Sequence, residues 1–219
     1  MMKVLCCIFI LSFCYTGEMI EYKINFLGIP AAKCIYAISD TVIYNKKAYK
    51  INYKVESKGL YKLFYKVENK YSIVFDKETF QILYYEKDSF QPKLINKIKT
   101  EYIENKIIYS NNEEIKSNEI NIFILLYLIS KGNLDKINDF PLIDREGKKY
   151  SYNVEKINKS IYNLTLNEIS NKDRGIIKHT DIFTWGLFLP DTKRYIYIDN
   201  HRKIIEKCIF KKGLIKIVA

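Results

Sequence analysis

Along most of the chain hydrophobic and polar residues alternate with a period of two. In "EYKINFLGIPAAKCIYAISD" (21–40), Tyr22, Ile24 and Phe26 point one way and Glu21, Lys23 and Asn25 the other. The alternation breaks at Gly28–Pro30 and then resumes, which predicts a hairpin turning at Gly28–Ala31. Tyr49, Ile51, Tyr53 and Val55 alternate in the same way with Lys50, Asn52, Lys54 and Glu56. Further strand-like runs cover 35–44, 70–75, 81–87, 94–104 and 106–110, then 150–157, 160–169, 182–189, 194–199, 203–210 and 214–218. Asn45-Lys46, Asp76-Lys77, Asn111-Asn112, Asn200-His201 and Lys212-Gly213 are turn signals between them. The pattern predicts an all-β, mainly antiparallel meander of about a dozen strands.

One segment has a different period. "NEINIFILLYLISKG" (118–132) sets Ile120, Phe123, Ile124, Tyr127 and Leu128 at helical spacing, with Gly132 suited to the C-cap and Ser117 or Asn118 to the N-cap. Leu125, Leu126 and Ile129 widen the apolar surface beyond one stripe, so this helix, expected over about 119–131, must be buried on most sides. A curved sheet or half-barrel wrapped around it is the simplest way to bury it. A second, shorter helix or turn is expected at Lys58–Phe64. The polar stretch Leu134–Lys149 reads as a loop between two groups of strands. No linker or repeat divides the chain, and residues 18–219 are expected to form a single antiparallel β domain.

The N-terminus changes the setting. Lys3 followed by the apolar run Val4–Cys14 has the form of a secretory leader, expected to be removed as residues 1–17. This places the protein in the periplasm, at the cell surface or outside the cell. Cys14 raises the alternative of a lipid anchor, and a first core strand or helix is a further alternative. No later segment reads as a membrane span, since the longest apolar run, Ile122–Ile129, is far too short. The net charge of +11 is spread over lysines such as those in "KKAYKINYKVESKGLYKLFYK". They fall mostly on the solvent side of half-buried strands, which disfavours a nucleic-acid surface and leaves a secondary attraction to anionic lipid or polymer.

Signals of catalysis are sparse. His179 and His201 belong to no spaced ligand motif, so no metal is expected. With 8 glycines spread thinly there is no phosphate-cradling loop, no nucleophile elbow and no expected cofactor. Asp76, Glu78, Asp88, Asp181 and Asp191 read as solvated turn residues rather than paired catalytic carboxylates. Cys34 and Cys208 read as buried free thiols, with a disulfide as the alternative. The protein is therefore not expected to be an enzyme, with an envelope hydrolase as the alternative. The aromatic residues, 15% of the chain, are the remaining clue: Tyr22, Phe26, Tyr53, Tyr71, Phe75, Phe123, Tyr127 and Trp185 form either an ordinary core or the wall of a cavity. In "DIFTWGLFLP" the set containing Phe183, Trp185, Leu187 and Leu189 is the more apolar, which turns Trp185 inward.

"YKINFLGIPAAKCIYAI" and "YKINYKVESKGLYKLFYKVENKYSIVFDKETFQILYYEK" resemble the bacterial exported family called domain of unknown function 3108. The family's order is carried here by Gly28-Ile29, Ser57-Lys58-Gly59, Val67–Asp76 and Ile120–Ile129, and "LPDTKRYIYIDNHRKIIEKCIFKKGLIKIVA" resembles its closing hairpins. Ala31 and Ala32 stand where a second small residue, often Gly, is usual. Glu119 or Asn121 must serve as the polar residue that introduces the helix. The resemblance implies an envelope protein built as a curved antiparallel sheet around a helix, and it carries over no catalytic residue. Two functions follow as expectations. The first is a binding module that accepts an apolar ligand or polypeptide segment, with Phe123, Tyr127, Trp185, Tyr22, Phe26 and Tyr53 as candidate ligand-binding residues. The second is a structural or assembly factor with a filled core, acting through a surface or sheet edge. Expected partners are a lipophilic ligand or an envelope protein, with peripheral membrane contact and no nucleic acid.

Overall fold

The structure, a computed structural model, describes residues 17–92, 94–104, 106–110, 112–169 and 181–219. The expected leader up to Thr16, with Cys14, and also His179 lie outside the described residues. The opening hairpin is formed by β1 (Glu18–Phe26) and β2 (Ile29–Ile43). Its turn is Leu27-Gly28, both at positive φ (51° and 82°), slightly earlier than the sequence suggested. Two left-handed residues make a tight turn whose twist matches that of the strands. Pro30 thereby falls inside β2, where it pairs with Asn25 beside a register shift, an irregularity that tolerates its missing N–H.

From β2 the chain moves outward strand by strand through β3 (Lys46–Ser57), β4 (Glu68–Asp76), β5 (Ile82–Gln91), β6 (Leu94–Ile103), β7 (Lys106–Tyr109) and β8 (Glu114–Ile115). β9 (Glu119–Ile120) then starts at the far edge of the same sheet. β10 (Leu142–Arg145), β11 (Lys148–Lys156), β12 (Ile161–Glu168), β13 (Lys193–Asp199), β14 (Ile204–Lys212) and β15 (Ile215–Val218) lead back until β15 pairs with β1. The result is a sheet of fifteen strands, antiparallel throughout except for the short β9–β10 pair. Its two outermost strands, β8 and β9, are consecutive in sequence and joined by residues 116–118 alone. A link that short holds the two edges side by side, so the sheet is curled into a nearly closed barrel.

Among the described residues four short helices accompany it: α1 (Gly59–Phe64), α2 (Ile122–Lys131), α3 (Leu134–Ile137) and α4 (Ile182–Phe188). α2 is the expected central helix. It starts later than predicted because Glu119–Ile120 is spent on β9, and Asn121 is the cap, its side-chain oxygen accepting from Ile124 N at 3.0 Å. It ends at Gly132, whose φ of 75° suits the left-handed C-cap that closes helices. Every residue from Ile122 to Ser130 is buried, so the helix occupies the barrel interior. Phe123 packs on Tyr53 and Tyr71 (ring centroids 4.8 and 5.2 Å), and Tyr127 on Phe75 and Tyr49 (5.3 and 5.6 Å).

Two expectations are corrected. The stretch 134–149 is not one loop, since it contains α3 and β10. The strand expected over 182–189 is α4, because Asp181 takes the N-cap position and its Oδ1 accepts from Phe183 N and Thr184 N at 3.0 Å each. A side-chain cap of this kind satisfies N–H groups that a strand would need a neighbour to satisfy.

Phe123→Asp should abolish the cooperative thermal transition, because a carboxylate among Tyr53, Tyr71 and the α2 core finds no partner and costs several kcal/mol. An unchanged melt would mean that α2 is not enclosed.

Candidate functional site

The residues singled out by sequence fall into three settings. Phe123, Tyr127 and Tyr53 meet in the interior as buried core residues. Tyr22 and Phe26 lie half-buried on β1, and the Tyr22 hydroxyl donates to Ile205 O at 2.7 Å across to β14. Trp185, expected to turn inward, instead stands on α4 with 40% of its surface exposed, while its helical neighbours Leu187 and Phe188 face the core. Cys34 and Cys208 are free and buried, and burial pushes both thiols up to about 12. Among the described residues, the spaces that border α2 include two small ones. One, of about 20 Å3, lies among Tyr22, Tyr36, Tyr53 and Tyr127, and the other, of about 10 Å3, lies at the helix N-terminus. Each is on the scale of one or two water molecules.

The second of these spaces adjoins a cluster of charges that the sequence reading did not anticipate. Lys87, on β5, is completely buried, and its Nζ lies 2.6 Å from Glu146 Oε1 and 2.6 Å from Asp181 Oδ2. Period two puts it there: Tyr85, Lys87, Ser89 and Gln91 are the buried set of β5, while Glu86 and Phe90 face out. Asp181 is equally buried, and both of its oxygens are engaged. Oδ1 accepts from Tyr71 OH (2.6 Å) and Asn69 Nδ2 (3.2 Å) besides the two helix N–H groups, and Oδ2 accepts from Thr184 Oγ1 (2.6 Å). Tyr85 OH donates to Glu146 at 3.1 Å and Tyr109 OH to Asp144 at 2.5 Å. Lys149 bridges Glu119 (2.5 Å) and Asp144 (2.8 Å).

Every one of these groups sits near the seam of the barrel, but on opposite sides of it. Asn69, Tyr71, Tyr85, Lys87 and Tyr109 belong to β4, β5 and β7, whereas Glu119, Asp144, Glu146 and Lys149 belong to β9, β10, β11 and the turn between the last two. Asp181 adds α4 to the same cluster. Its carboxylates outnumber its ammonium groups, and Asp144 and Glu146 border the N-terminal turn of α2, where the helix dipole is positive. Asn121, the cap of that helix, lines the same small space with its Nδ2 unpartnered.

The other end of α4 is secured in a similar way. The buried guanidinium of Arg194 donates to the carbonyls of Leu187, Leu189 and Thr192 at 2.7, 2.6 and 2.9 Å, satisfying oxygens that a helix end leaves open.

Chemically the cluster is suited to holding rather than reacting. An ammonium gripped by two carboxylates offers no lone pair for attack, and all the strong acceptor positions of Asp181 are taken. Burial alone would raise the Asp181 carboxyl, but the Lys87 charge and the hydrogen bonds from Lys87, Thr184 and Tyr71 outweigh it and leave it below its usual value. For Asp144 burial prevails over Lys149, and its carboxyl is raised. Burial, reinforced by the adjacent carboxylates, lifts the Tyr71, Tyr85 and Tyr109 phenols well above theirs. Among the described residues no group of three or more His, Cys, Asp and Glu side chains is placed to hold a metal ion.

The signs for Asp181 and Asp144 are opposite. A carboxyl lowered by folding stabilises the folded state above its unfolded value of about 3.9 and loses that contribution as the pH falls through the lower folded value. A raised carboxyl, as at Asp144, gains as the pH falls. Asp181→Asn retains the helix cap but removes the charge that faces Lys87. In urea it should be less stable than the wild type by about 3–5 kcal/mol at pH 7. The gap should narrow below about pH 4, as wild-type Asp181 takes up its proton. Asp144 is common to both proteins and cancels. A gap that does not change between pH 7 and pH 2 would show that Asp181 is not held as a carboxylate by Lys87.

Comparison with known proteins gives one match. Neither the search of curated proteins nor that of solved structures returns any. The matched stretch runs from β1 to the cap of α2, which is the half of the barrel that supplies Lys87 and its tyrosines. Residues 21–121 match the model of the family described as "Protein of unknown function (DUF3108)", in agreement with the resemblance read from the sequence.

Proposed function

We propose that the protein is an exported, non-enzymatic factor of the cell envelope whose barrel is filled and which acts through its exterior. The main support is α2: its buried residues occupy the interior, and the spaces beside it are about 20 and 10 Å3, against several hundred Å3 in ordinary ligand sites. The leader-like N-terminus and the exported character of the family support the location.

A second reading, in which the exterior receives a polypeptide segment, is favoured by one edge. β10 pairs with β11 at Lys148–Tyr150, so among the described residues 151–156 of β11 have no strand on that side. A groove of about 400 Å3 opens there, walled by Leu134, Ile137, Phe140 and Pro141 and floored by Tyr152 and Val154. An extended segment laid in it would meet unpaired backbone groups, as in strand addition.

Both readings leave the interior without a lipophilic ligand. Decanoate, kept below its micellar concentration, should leave the melting temperature of the protein unchanged. A ligand at a hundredfold excess over its dissociation constant would add about 2.7 kcal/mol, a rise of several degrees. A saturable rise of that size would overturn the filled-core reading.

A further inference from the structure

α1 is an amphipathic helix turned inside out. None of its residues is buried, and Leu60, Leu63 and Phe64, spaced to share one face, are 70%, 79% and 83% exposed. Two more apolar projections stand at the same end of the barrel. Lys58 N donates to Ala31 O at 2.8 Å, which ties the start of α1 to the β1–β2 hairpin and its exposed Leu27 and Ile29. Leu27 N in turn donates to Lys216 O at 3.0 Å, which brings in the β14–β15 turn, where Leu214 is 96% exposed. Scattered surface leucines are ordinary, but a contiguous set gathered from three segments marks a contact surface.

Charge identifies the occupant. Lysines 58, 62, 66, 211, 212 and 216 surround these apolar tips. The acids nearby are paired with lysines: Glu21 with Lys58, Glu68 with Lys66, and Asp191 with Lys212. Lys62, Lys211 and Lys216 make no ion pair among the described residues, so the rim carries a basic excess. Apolar side chains projecting from one end, within a rim of lysines that outnumber the acids beside them, complement a surface that is anionic outside and apolar beneath.

We propose that this end of the barrel docks on an anionic lipid bilayer, with Leu60, Leu63, Phe64 and Leu214 entering the headgroup–acyl boundary and Lys62, Lys211 and Lys216 meeting lipid phosphates. The proposal rests on the exterior-acting reading and names its surface. It does not depend on the decanoate result, so the two are tested separately.

The test is co-sedimentation of the full chain with vesicles of phosphatidylethanolamine and phosphatidylglycerol, alongside vesicles of phosphatidylcholine alone. The wild type should bind the anionic vesicles preferentially and release on raising the salt. Leu63→Ser/Phe64→Ser should weaken binding at least roughly tenfold, and Lys62→Gln or Lys216→Gln each roughly fivefold, with circular dichroism melts unchanged because all four side chains are exposed. Equal binding to both vesicle types would overturn the proposal, as would binding to anionic vesicles that Leu63→Ser/Phe64→Ser leaves intact. A concentration-dependent dimer in sedimentation velocity that this double variant abolishes would assign the face to a second copy of the chain and also overturn it.

Discussion

The fold depends on how the barrel is closed. Its edge strands, β8 and β9, are two residues long each, and no backbone ladder joins them. Besides the short 116–118 link, closure falls to side chains, above all to the completely buried Lys87, which reaches from β5 to Glu146 on the far side and to Asp181 at the head of α4. Burying three charges carries a desolvation cost of several kcal/mol per ion, and their attraction repays it only with good geometry and satisfied hydrogen bonds. Here Tyr71, Tyr85, Asn69 and Thr184 supply those bonds. Such a cluster adds less to net stability than an apolar plug of the same volume, but it accepts a single register. A slip of one residue in β5 would turn Lys87 to solvent and leave Asp181 and Glu146 stranded.

The rest of the interior is arranged around that closure. The N-terminal turn of α2 abuts the charged cluster, and the remainder of the helix is packed by tyrosine and phenylalanine rings from β3 and β4. Asp181 and Arg194 fix the two ends of α4, whose Leu187 and Phe188 join the core. With α2 inside, little room remains for a guest. Among the described residues, the features of the exterior include the β11 edge and the lysine-rimmed end around α1.

Much of this was legible in the sequence, for identifiable reasons. Alternation marks a strand that has one wet face, so β1 to β7 and β11 to β15 could be placed to within a few residues. The unbroken apolar run 122–129 could only be a buried helix. What escaped were positions where a local signal and its usual meaning part company. Seven apolar-rich residues after Asp181 scan equally well as a strand, and the aspartate before them, with Pro190 behind, was the available sign of a capped helix. Lys87 was hidden by the habit of assigning lysines to solvent, although Tyr85 two residues earlier fixes the inward face of β5. Asp181 scans as a solvated turn because its partner is 94 residues away in the chain, and no spacing rule spans such a distance. The outward apolar face of α1 is invisible to periodicity, which gives the stripe but not the side it faces.

The central claim, that a buried charge cluster closes the barrel, is tested most directly by a double-mutant cycle on Lys87→Met and Glu146→Gln, read by urea unfolding. Direct coupling in a buried pair predicts that the double variant costs at least about 2 kcal/mol less than the sum of the two single variants, because each single change strands the remaining partner. The surface pair Lys54–Glu56, treated in the same way, should couple far more weakly, because its charges are screened by solvent. Additivity of the Lys87 and Glu146 changes to within about 0.5 kcal/mol would contradict the account.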